Sequence, residues 1–416
     1  MQGLDIGQTL EGGEKAQPSI AIVGGGMVGA VLALLLARNL PCAHITLFDR
    51  YEAGEQERPS FDRRSTAIAP STEQCFRRLG LWAALAAHAT PIEQIHVSDK
   101  GHAGMALFDP SDNSGAPLGY VIDNGGMGQV LLAAVNNQPN LQSVQANVKS
   151  INMVALGAVL NAGDTSGQNA TVFDLVVVAD GAHSSLRKQL GIDVRRVDYQ
   201  QHAIVANVRH ELPHQLQAFE RFTPRGPIAL LPKGGHASSC ESALVWTCPT
   251  DELQNYQALD GAQLIQRLQS QFGFRLGRLL DIGTPNFYPL ELLVAQEQVR
   301  SNVVLMGNAA HFLHPVAGQG FNLSVRDALR LVSVLKTAVA AGSSIGDLAV
   351  LQSYEKQQRA DQQNTIALSH GFNRIFTRMP FPIQLLRTSG LIALELNPVL
   401  RAQFIRLLSG RAQPAA

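Results

Sequence analysis

Several features are scarce in this 416-residue sequence, and each scarcity argues against a class of protein. The four cysteines are Cys42, Cys75, Cys240 and Cys248. They form neither a C-x-x-C pair nor a dense framework, which argues against a disulfide scaffold and a structural zinc site. Lysine plus arginine equal aspartate plus glutamate at 33 each, so no net charge draws the chain to nucleic acid. We therefore expect reduced cysteines and no nucleic-acid partner.

Long apolar runs are absent as well. The sequence holds no run of 18 hydrophobic residues, so it predicts no membrane-spanning helix. Residues 1–18 carry charged side chains and no apolar core, which indicates a disordered tail and not a signal peptide. We therefore expect a cytoplasmic protein. The length, with 45% hydrophobic residues, predicts two or three domains.

The hydrophobic pattern that is present predicts a doubly wound sheet. From Ser19 a short β-branched strand, a glycine turn and an apolar helix to Arg38 follow one another, and a second strand ends at Asp49. This is the opening βαβ unit of such a sheet. Two later apolar segments, one ending at Asp180 and one running into Gly307, have the composition of buried parallel strands.

The middle and the end of the chain have other patterns. Residues 196–290 alternate apolar and polar positions between proline and glycine turns, which is typical of a mainly antiparallel sheet. After Gly320 the sequence favours helix to about Gly410. The predicted fold is therefore α/β, with a Rossmann-like dinucleotide-binding domain, a mainly antiparallel second sheet and C-terminal helices.

A glycine motif with its full context lies at the first turn. Gly24, Gly26 and Gly29 form G-x-G-x-x-G between strand and helix, and Asp49 ends the next strand. The first glycine permits the tight turn, the second admits a pyrophosphate, and the third lets the helix pack closely. The Asp49 carboxylate can accept from the adenosine ribose and repels a 2′-phosphate. The site therefore fits FAD or NAD and not NADP. The alternative is that the glycine turn has only a structural role and binds no dinucleotide.

Other segments place polar groups where open α/β sheets bind ligands. Asp180 with Gly181, and Gly307 with Asn308, follow predicted strands, although ordinary turns use the same residues. A later segment is predicted to begin a helix, whose unpaired N–H groups suit the anionic edge of a reduced flavin. Its candidate residues are Pro315, Gly318, Gln319, Gly320 and Asn322.

The motifs together resemble a known family. Three of them occur in the order and spacing of the flavoprotein aromatic hydroxylases of the p-hydroxybenzoate hydroxylase type: GGGMVG, ADG and GNAAHFLHPVAGQGFNL. Three further segments resemble its ubiquinone-biosynthesis branch: FDRRSTAIA, IHVSDKGHAG and FERFTPRGPIALLP. The resemblance implies FAD, with NADPH or NADH as a transient donor. It further implies hydroxylation of a polyprenylated (methoxy)phenol with O2 through a flavin C4a-hydroperoxide.

The resemblance also implies roles for particular residues. Arg64 would lie near the FAD pyrophosphate, and Gln129 would start a helix beside the flavin. Asp180, supported by Arg187, would belong to a motif shared between FAD and the nicotinamide donor. Asn308 stands where most of the family has an aspartate that holds a FAD hydroxyl. The asparagine is a departure that can still donate and accept hydrogen bonds.

The implied domains are discontinuous. The FAD-binding domain comprises residues 19–75, 105–195 and 295–345. The substrate-binding domain comprises residues 76–104 and 196–294, and residues 346–416 form a C-terminal helical segment.

The hydroxylation chemistry calls for a basic group near the phenol, because a phenolate is the better nucleophile. His311 is our candidate. His311 and His314 also form H-x-x-H, but no third ligand accompanies them, which favours a packing or flavin-edge role over a metal site. Residues 342–346 match G-x-S-x-G by letter, but a helix precedes the serine, which argues against a hydrolase.

Two other functions use the same motifs and stay open at this point. One is a flavin dehydrogenase that inserts no oxygen, and the other is a non-catalytic carrier of prenyl lipid.

Residues 372–411 hold six arginines against the single acid Glu395, among apolar residues. This composition predicts that residues 372–411 make a peripheral contact with the inner face of a membrane or with a ubiquinone-biosynthesis complex. The alternative is that the apolar residues pack inside and the arginines are solvated.

Overall fold

The computed structural model describes residues 17–51, 60–62, 64–102, 104–155, 157–162, 171–313, 318–376, 395 and 397–410. Its strands are β1 (Ser19–Val23), β2 (His44–Asp49), β3 (Ser65–Ile68), β4 (Ala89–Ile92), β5 (Gln94–Asp99), β6 (Met105–Phe108), β7 (Gly119–Asp123), β8 (Leu141–Gln145), β9 (Val148–Val154), β10 (Gly157–Ala162), β11 (Thr171–Phe173), β12 (Leu175–Val178), β13 (Val194–His210), β14 (Gln217–Thr223), β15 (Gly226–Pro232), β16 (Glu241–Pro249), β17 (Leu279–Ile282), β18 (Asn286–Ala295), β19 (Val299–Arg300), β20 (Val303–Leu305) and β21 (His311–Phe312). Its α-helices are α1 (Met27–Asn39), α2 (Pro70–Arg78), α3 (Trp82–Ala86), α4 (Asn124–Asn136), α5 (Ser185–Gln189), α6 (Leu253–Gln257), α7 (Gly261–Phe272), α8 (Gln319–Ala340), α9 (Leu348–Phe376) and α10 (Pro398–Leu408). Short 3-10 helices span Pro110–Asn113, Thr250–Glu252 and Gly307–Ala309.

A six-stranded sheet has the order β19-β20-β12-β1-β2-β8. β1 runs parallel to β2 and β12, and β12 runs parallel to β20. These strands are buried on both faces, which explains their continuous apolar sequence. α1 packs on this sheet and is buried from Gly29 to Ala37. The predicted doubly wound α/β architecture is confirmed.

A nine-stranded sheet holds most of the middle of the chain. Its order is β21-β18-β13-β16-β15-β14-β5-β6, with β17 beside β13. The pairs are antiparallel, as predicted, except that β14 runs parallel to β5. One face packs on α7, with Phe219, Trp246 and Phe272 in a single apolar cluster. Met105–Phe108 forms an edge strand of this sheet, and the division of the chain into domains stays a prediction.

A small sheet of order β3-β7-β4 lies against the other face of the large sheet. Val121 of β7 shares an apolar cluster with Ala218 of β14 and Ile405 of α10. Lys233, just after β15, is ion-paired with Asp123 at the end of β7, at 2.8 Å. The small sheet therefore connects the two large ones.

The described chain from Gln319 onwards is mainly helical, as the sequence predicted. α8 and α9 pack on one another. Half of the predicted basic segment, residues 372–411, lies outside the described residues, as does most of the N-terminal tail. Within the described ranges, no helix is long and apolar enough to cross a membrane.

Candidate flavin site

The glycine turn after β1 is held by both neighbouring strands. Gly24 has a φ of +116°, which residues with a Cβ atom rarely adopt. A Cβ atom there would collide with the carbonyl oxygen of Ala179, just after β12. The Gly24 N–H donates to the Phe48 carbonyl oxygen of β2 at 2.8 Å. The tight turn therefore depends on glycine at this position.

The rest of the motif lies beside this turn. Gly26 is the N-cap of α1, so the first N–H groups of the helix point away from any intrahelical acceptor. A Cβ atom on Gly29 would collide with the Gly24 carbonyl oxygen, which is the close packing that the motif requires. Sequence reasoning missed Gly25, whose Cβ atom would overlap the Asp49 carboxylate. The run of three glycines was the available signal.

Asp180 is mostly buried just beyond β12, next to Gly181. Burial raises the pKa of its carboxyl group, and a hydrogen bond from Ser184 and the charge of Arg187 partly offset this rise. Among the described residues, its Oδ1 atom has no hydrogen-bond partner. A buried acceptor of this kind requires a donor, so the position fits a hydroxyl or amide group of a ligand.

Arg187 joins two of the predicted segments. Its guanidinium donates to the Ala309 carbonyl oxygen at 2.8 Å and to the Ala182 carbonyl oxygen at 2.9 Å. Gly307, which precedes Ala309, has a φ of +62° and lies beside Val28 of α1. Asn308 is exposed. The structure thus brings the segments after β1, β12 and β20 together at the carboxyl ends of the parallel strands, the usual ligand position in such sheets.

The start of α8 is fixed by Asn322. Gly318 caps the helix with a φ of +60°, and the Asn322 side chain is buried beneath it. Its Oδ1 accepts from the Ala69 N–H at 2.8 Å and the Thr72 hydroxyl at 2.7 Å. Its Nδ2 donates to the carbonyl oxygens of Ala67 at 3.0 Å and Gly318 at 2.8 Å. All four bonds go to protein, so Asn322 positions the helix start.

The neighbouring candidates differ in accessibility. Gln319 is buried, whereas a Cβ atom on Gly320 would meet no atom within 4 Å. Pro315 and His314 lie outside the described residues. The first turn of α8 therefore combines a fixed backbone with open space at Gly320.

We expect Asn322→Ala to weaken FAD retention. The hydrogen-bonding groups of Ala67, Ala69 and Thr72 would lose their buried partner. The start of α8 would then no longer be held in place. The measurement is the flavin-to-protein absorbance ratio after gel filtration, with Thr337→Ala on the exposed part of α8 as control. An unchanged ratio would contradict this positioning role.

Arg64 faces the large sheet. Its Nε donates to Asp62 at 2.5 Å, and its guanidinium lies 4.8 Å from the ring centroid of Tyr288 on β18. Its proximity to a pyrophosphate stays a prediction.

One expected detail about Gln129 is wrong. β7 ends at Asp123 and α4 begins at Asn124, so Gln129 lies in the second turn of the helix and not at its start. The reason is that Asp123 is both the last residue of the strand and the extended N-cap of the helix. Gln129 is exposed.

His311 does not have the surroundings of a substrate base. Its side chain has no exposed surface, and its Nε2 lies 2.8 Å from Asp327 Oδ2 of α8. Gln362 of α9 donates to the same oxygen at 2.9 Å. A fully buried imidazole cannot contact a substrate in this conformation, which argues against the role that we expected for it. His311 instead connects β21 with α8 and α9.

The fold and the site define a class. A parallel sheet with a G-x-G-x-x-G turn, an acidic residue at the end of β2 and a second helix start across the cleft is a dinucleotide-binding flavoprotein arrangement. The unpartnered Asp180 oxygen and the glycine-lined turn fit FAD.

Comparisons with known proteins agree with this class. Residues 17–369 match the family described as FAD binding domain. The chain is 33% identical to ubiquinone hydroxylase UbiL of Rhodospirillum rubrum, covering 94% of this chain and 89% of that protein. It is 31% identical to 3-demethoxyubiquinol 3-hydroxylase of Escherichia coli, covering 95% and 99%. The p-nitrophenol 4-monooxygenase PnpA of Pseudomonas putida has the same fold, with a TM-score of 0.76 at 18% identity, covering 95% and 100%.

The chain therefore belongs to the FAD-binding family of flavoprotein ring hydroxylases, and its cofactor is FAD.

Proposed function

We propose that this protein hydroxylates the ring of a polyprenylated (methoxy)phenol in ubiquinone biosynthesis. NADPH or NADH would supply the electrons and O2 the oxygen atom. One oxygen atom is inserted into a ring C–H bond as hydroxyl, and the other leaves as water after it takes up the hydride of NAD(P)H and one proton. The observation that carries the proposal is the FAD-type site together with two relatives over nearly the whole chain, a ubiquinone hydroxylase at 33% identity and a 3-demethoxyubiquinol 3-hydroxylase at 31%.

The proposed division of labour follows from the geometry. The Gly24–Gly29 turn and Asp49 would hold the adenosine and pyrophosphate, and Asp180 would accept from a FAD hydroxyl. The first turn of α8 would place its N–H groups at the edge of the flavin ring, where they stabilise negative charge. Bound FAD supplies the oxygen-activating chemistry.

The face of the large sheet opposite α7 suits an apolar substrate. Cross-strand neighbours on this face are the half-buried residues Val97, Ala229, Val245 and Val205. They lie on the side opposite α7, towards β7 and Arg64. An apolar floor of this kind would bind the phenol ring and exclude water from the reacting atoms.

The test is an 18O2 experiment with purified protein and prenylated methoxyphenols of varied ring pattern. We expect NAD(P)H loss with one 18O atom in the phenolic product, whose mass spectrum and NMR give the ring position. Substrate oxidation without 18O would instead identify a flavin dehydrogenase. If neither NADH nor NADPH bleaches the bound flavin, the protein is a carrier and not an enzyme.

We further propose that α10 contributes to a peripheral membrane contact through which the lipid substrate enters. Val399 is 65% exposed and Leu400 42% exposed, while Ile405 on the other side is buried. Arg406 is exposed as well. An apolar pair beside an accessible cation suits the interface of an anionic membrane.

The structure changes the interpretation of Arg401. Its guanidinium is ion-paired with Asp112 at 2.6 Å and donates to the Leu107 carbonyl oxygen at 2.7 Å. Only 14% of its side chain is exposed. Arg401 therefore anchors α10 to the protein, and it is not a headgroup ligand.

We expect the double variant Val399→Ser, Leu400→Ser to bind phosphatidylglycerol vesicles several-fold more weakly in a flotation assay, because less apolar area enters the membrane. Leu280→Ser is the matched control, since Leu280 is 48% exposed on β17. Added salt should weaken binding of the wild type. Equal flotation of both variants would contradict a contact through α10.

A further inference from the structure

One acidic residue on the face of the large sheet opposite α7 has no role so far. Glu220 lies in the middle of β14. Its neighbours along the strand point to α7, because the Phe219 ring lies 5.6 Å from the Phe272 ring and Arg221 Nε donates to the Gln271 carbonyl oxygen at 3.0 Å. Since side chains alternate along a strand, Glu220 points to the opposite face.

The row of residues around Glu220 is otherwise apolar. Val97 of β5 and Ala229 of β15 are its direct cross-strand neighbours. Ala106 of β6 and Val245 of β16 continue the row on either side. Glu220 is thus a lone carboxyl group on the floor that we propose for the substrate.

The charged groups around this face are engaged elsewhere. On the strands and helices that border it, the ion pairs are Asp62 with Arg64, Asp112 and Glu395 with Arg401, and Asp123 with Lys233. Asp99 lies 3.0 Å from the His102 ring nitrogen. Arg406 is exposed. Within the described chain, Glu220 itself has neither an ion pair nor a hydrogen bond. Burial alone raises the pKa of its carboxyl group to about 7.

Burial of a carboxyl group without a partner destabilises the folded state, and such groups are often found at functional sites. A half-buried carboxyl group without a partner in the described chain, in an apolar row on the sheet face towards β7 and Arg64, can accept a proton from a phenol placed on the same floor. A base is most effective when it titrates near the working pH, and this one does.

We propose that Glu220 is the catalytic base that accepts the proton of the substrate phenol. This assignment rests on the proposed function. The phenol O–H bond breaks, the proton moves to a carboxylate oxygen of Glu220, and the electron pair stays on the phenolate oxygen. The ring carbons ortho and para to that oxygen become electron-rich, which favours their attack on an electrophilic oxygen atom. Glu220 later returns the proton to the product or to solvent.

The first arm of the test is the pH dependence of kcat/KM. In the wild type, activity should rise with pH through about 7, because only the ionised carboxylate accepts a proton. Glu220→Gln should lose this limb and fall by roughly 100-fold or more. Glu220→Asp should retain the limb at lower amplitude. The matched control is Glu241→Gln, on an exposed end of β16.

The second arm needs no turnover. A geranylated 4-nitrophenol serves as a probe, because its phenol and phenolate forms differ in colour. Two acids that share a site hinder each other's ionisation, so the pKa of the bound probe should be lower in Glu220→Gln than in the wild type. An unchanged probe pKa, together with a retained pH limb, would overturn the assignment.

Failure of the assignment and failure of the proposed function are distinguishable. If the wild type forms 18O-labelled product while Glu220→Gln keeps wild-type kcat/KM and probe pKa, only the role of Glu220 is wrong. If the wild type forms no labelled product, the proposed function itself fails. Folding of the variant is checked by its melting temperature. We expect the melting temperature of Glu220→Gln minus that of the wild type to rise from pH 5 to pH 8. Only the wild type carries a carboxyl group whose pKa is raised by folding, so only the wild type loses stability as this group ionises.

Discussion

Replacement of Gly26 by valine is expected to give a folded but colourless protein. Gly26 caps α1 at the point where the pyrophosphate of FAD would meet the first helical N–H groups. A Cβ atom there would lie 2.8 Å from the Ser60 hydroxyl oxygen, a flexible side-chain end that can move. The added methyl groups would therefore occupy the cofactor space without breaking the backbone turn.

The measurements are the flavin absorbance of the purified protein and its far-UV circular dichroism. The matched control is Gly371→Val in α9, where a Cβ atom would meet nothing within 4 Å. This variant should remain yellow. Full flavin content in Gly26→Val would mean that FAD does not approach this turn.

Replacement of Asp327 by leucine is expected to have the largest effect on stability. The Asp327 side chain is 1% exposed and lies between His311 and Gln362. Removal of one partner from a buried polar cluster leaves the others without their hydrogen bonds. For such a loss we expect the free energy of unfolding to fall by about 3–5 kcal/mol.

Urea denaturation followed by circular dichroism tests this expectation at a fixed FAD concentration. Asp281→Leu is the control, because Asp281 forms an exposed ion pair with Arg209 at 3.7 Å, with 67% of its side chain accessible. Such surface pairs contribute about 0–1 kcal/mol. Equal losses in the two variants would show that the buried cluster does not stabilise the fold.

The contrast between His311 and Glu220 explains what sequence reasoning missed at the site. Both are titratable residues within recognisable segments, and the sequence analysis considered only the histidine as a base. In the structure His311 is fully buried beside Asp327, whereas Glu220 is half-buried in an apolar row, and burial raises the pKa of its carboxyl group. Exposure depends on which elements pack on a strand, and these lie far away in the chain.

The role of Arg401 in the basic C-terminal segment also depends on a distant contact. In the sequence, Arg401 is one of six arginines interleaved with apolar residues, a pattern typical of membrane-surface segments. Its partner Asp112 lies 289 residues away. A pair of this kind leaves no local periodicity, so the sequence pattern could not separate an anchoring arginine from an exposed one.

Local sequence patterns are enough to predict several elements of this fold. The buried strands β1, β12 and β20, the tight turn at Gly24 and the start of α8 each follow from hydrophobic period or from glycine within a few residues. Three other features depend on the packing of segments that are far apart in the chain: the hydrogen bonds of Asn322 to β3 and α2, the burial of His311 against α8 and α9, and the place of Glu220 on the sheet face opposite α7. Burial and hydrogen-bond partners are set by contacts between distant segments, so residues next to one another in the chain do not reveal them.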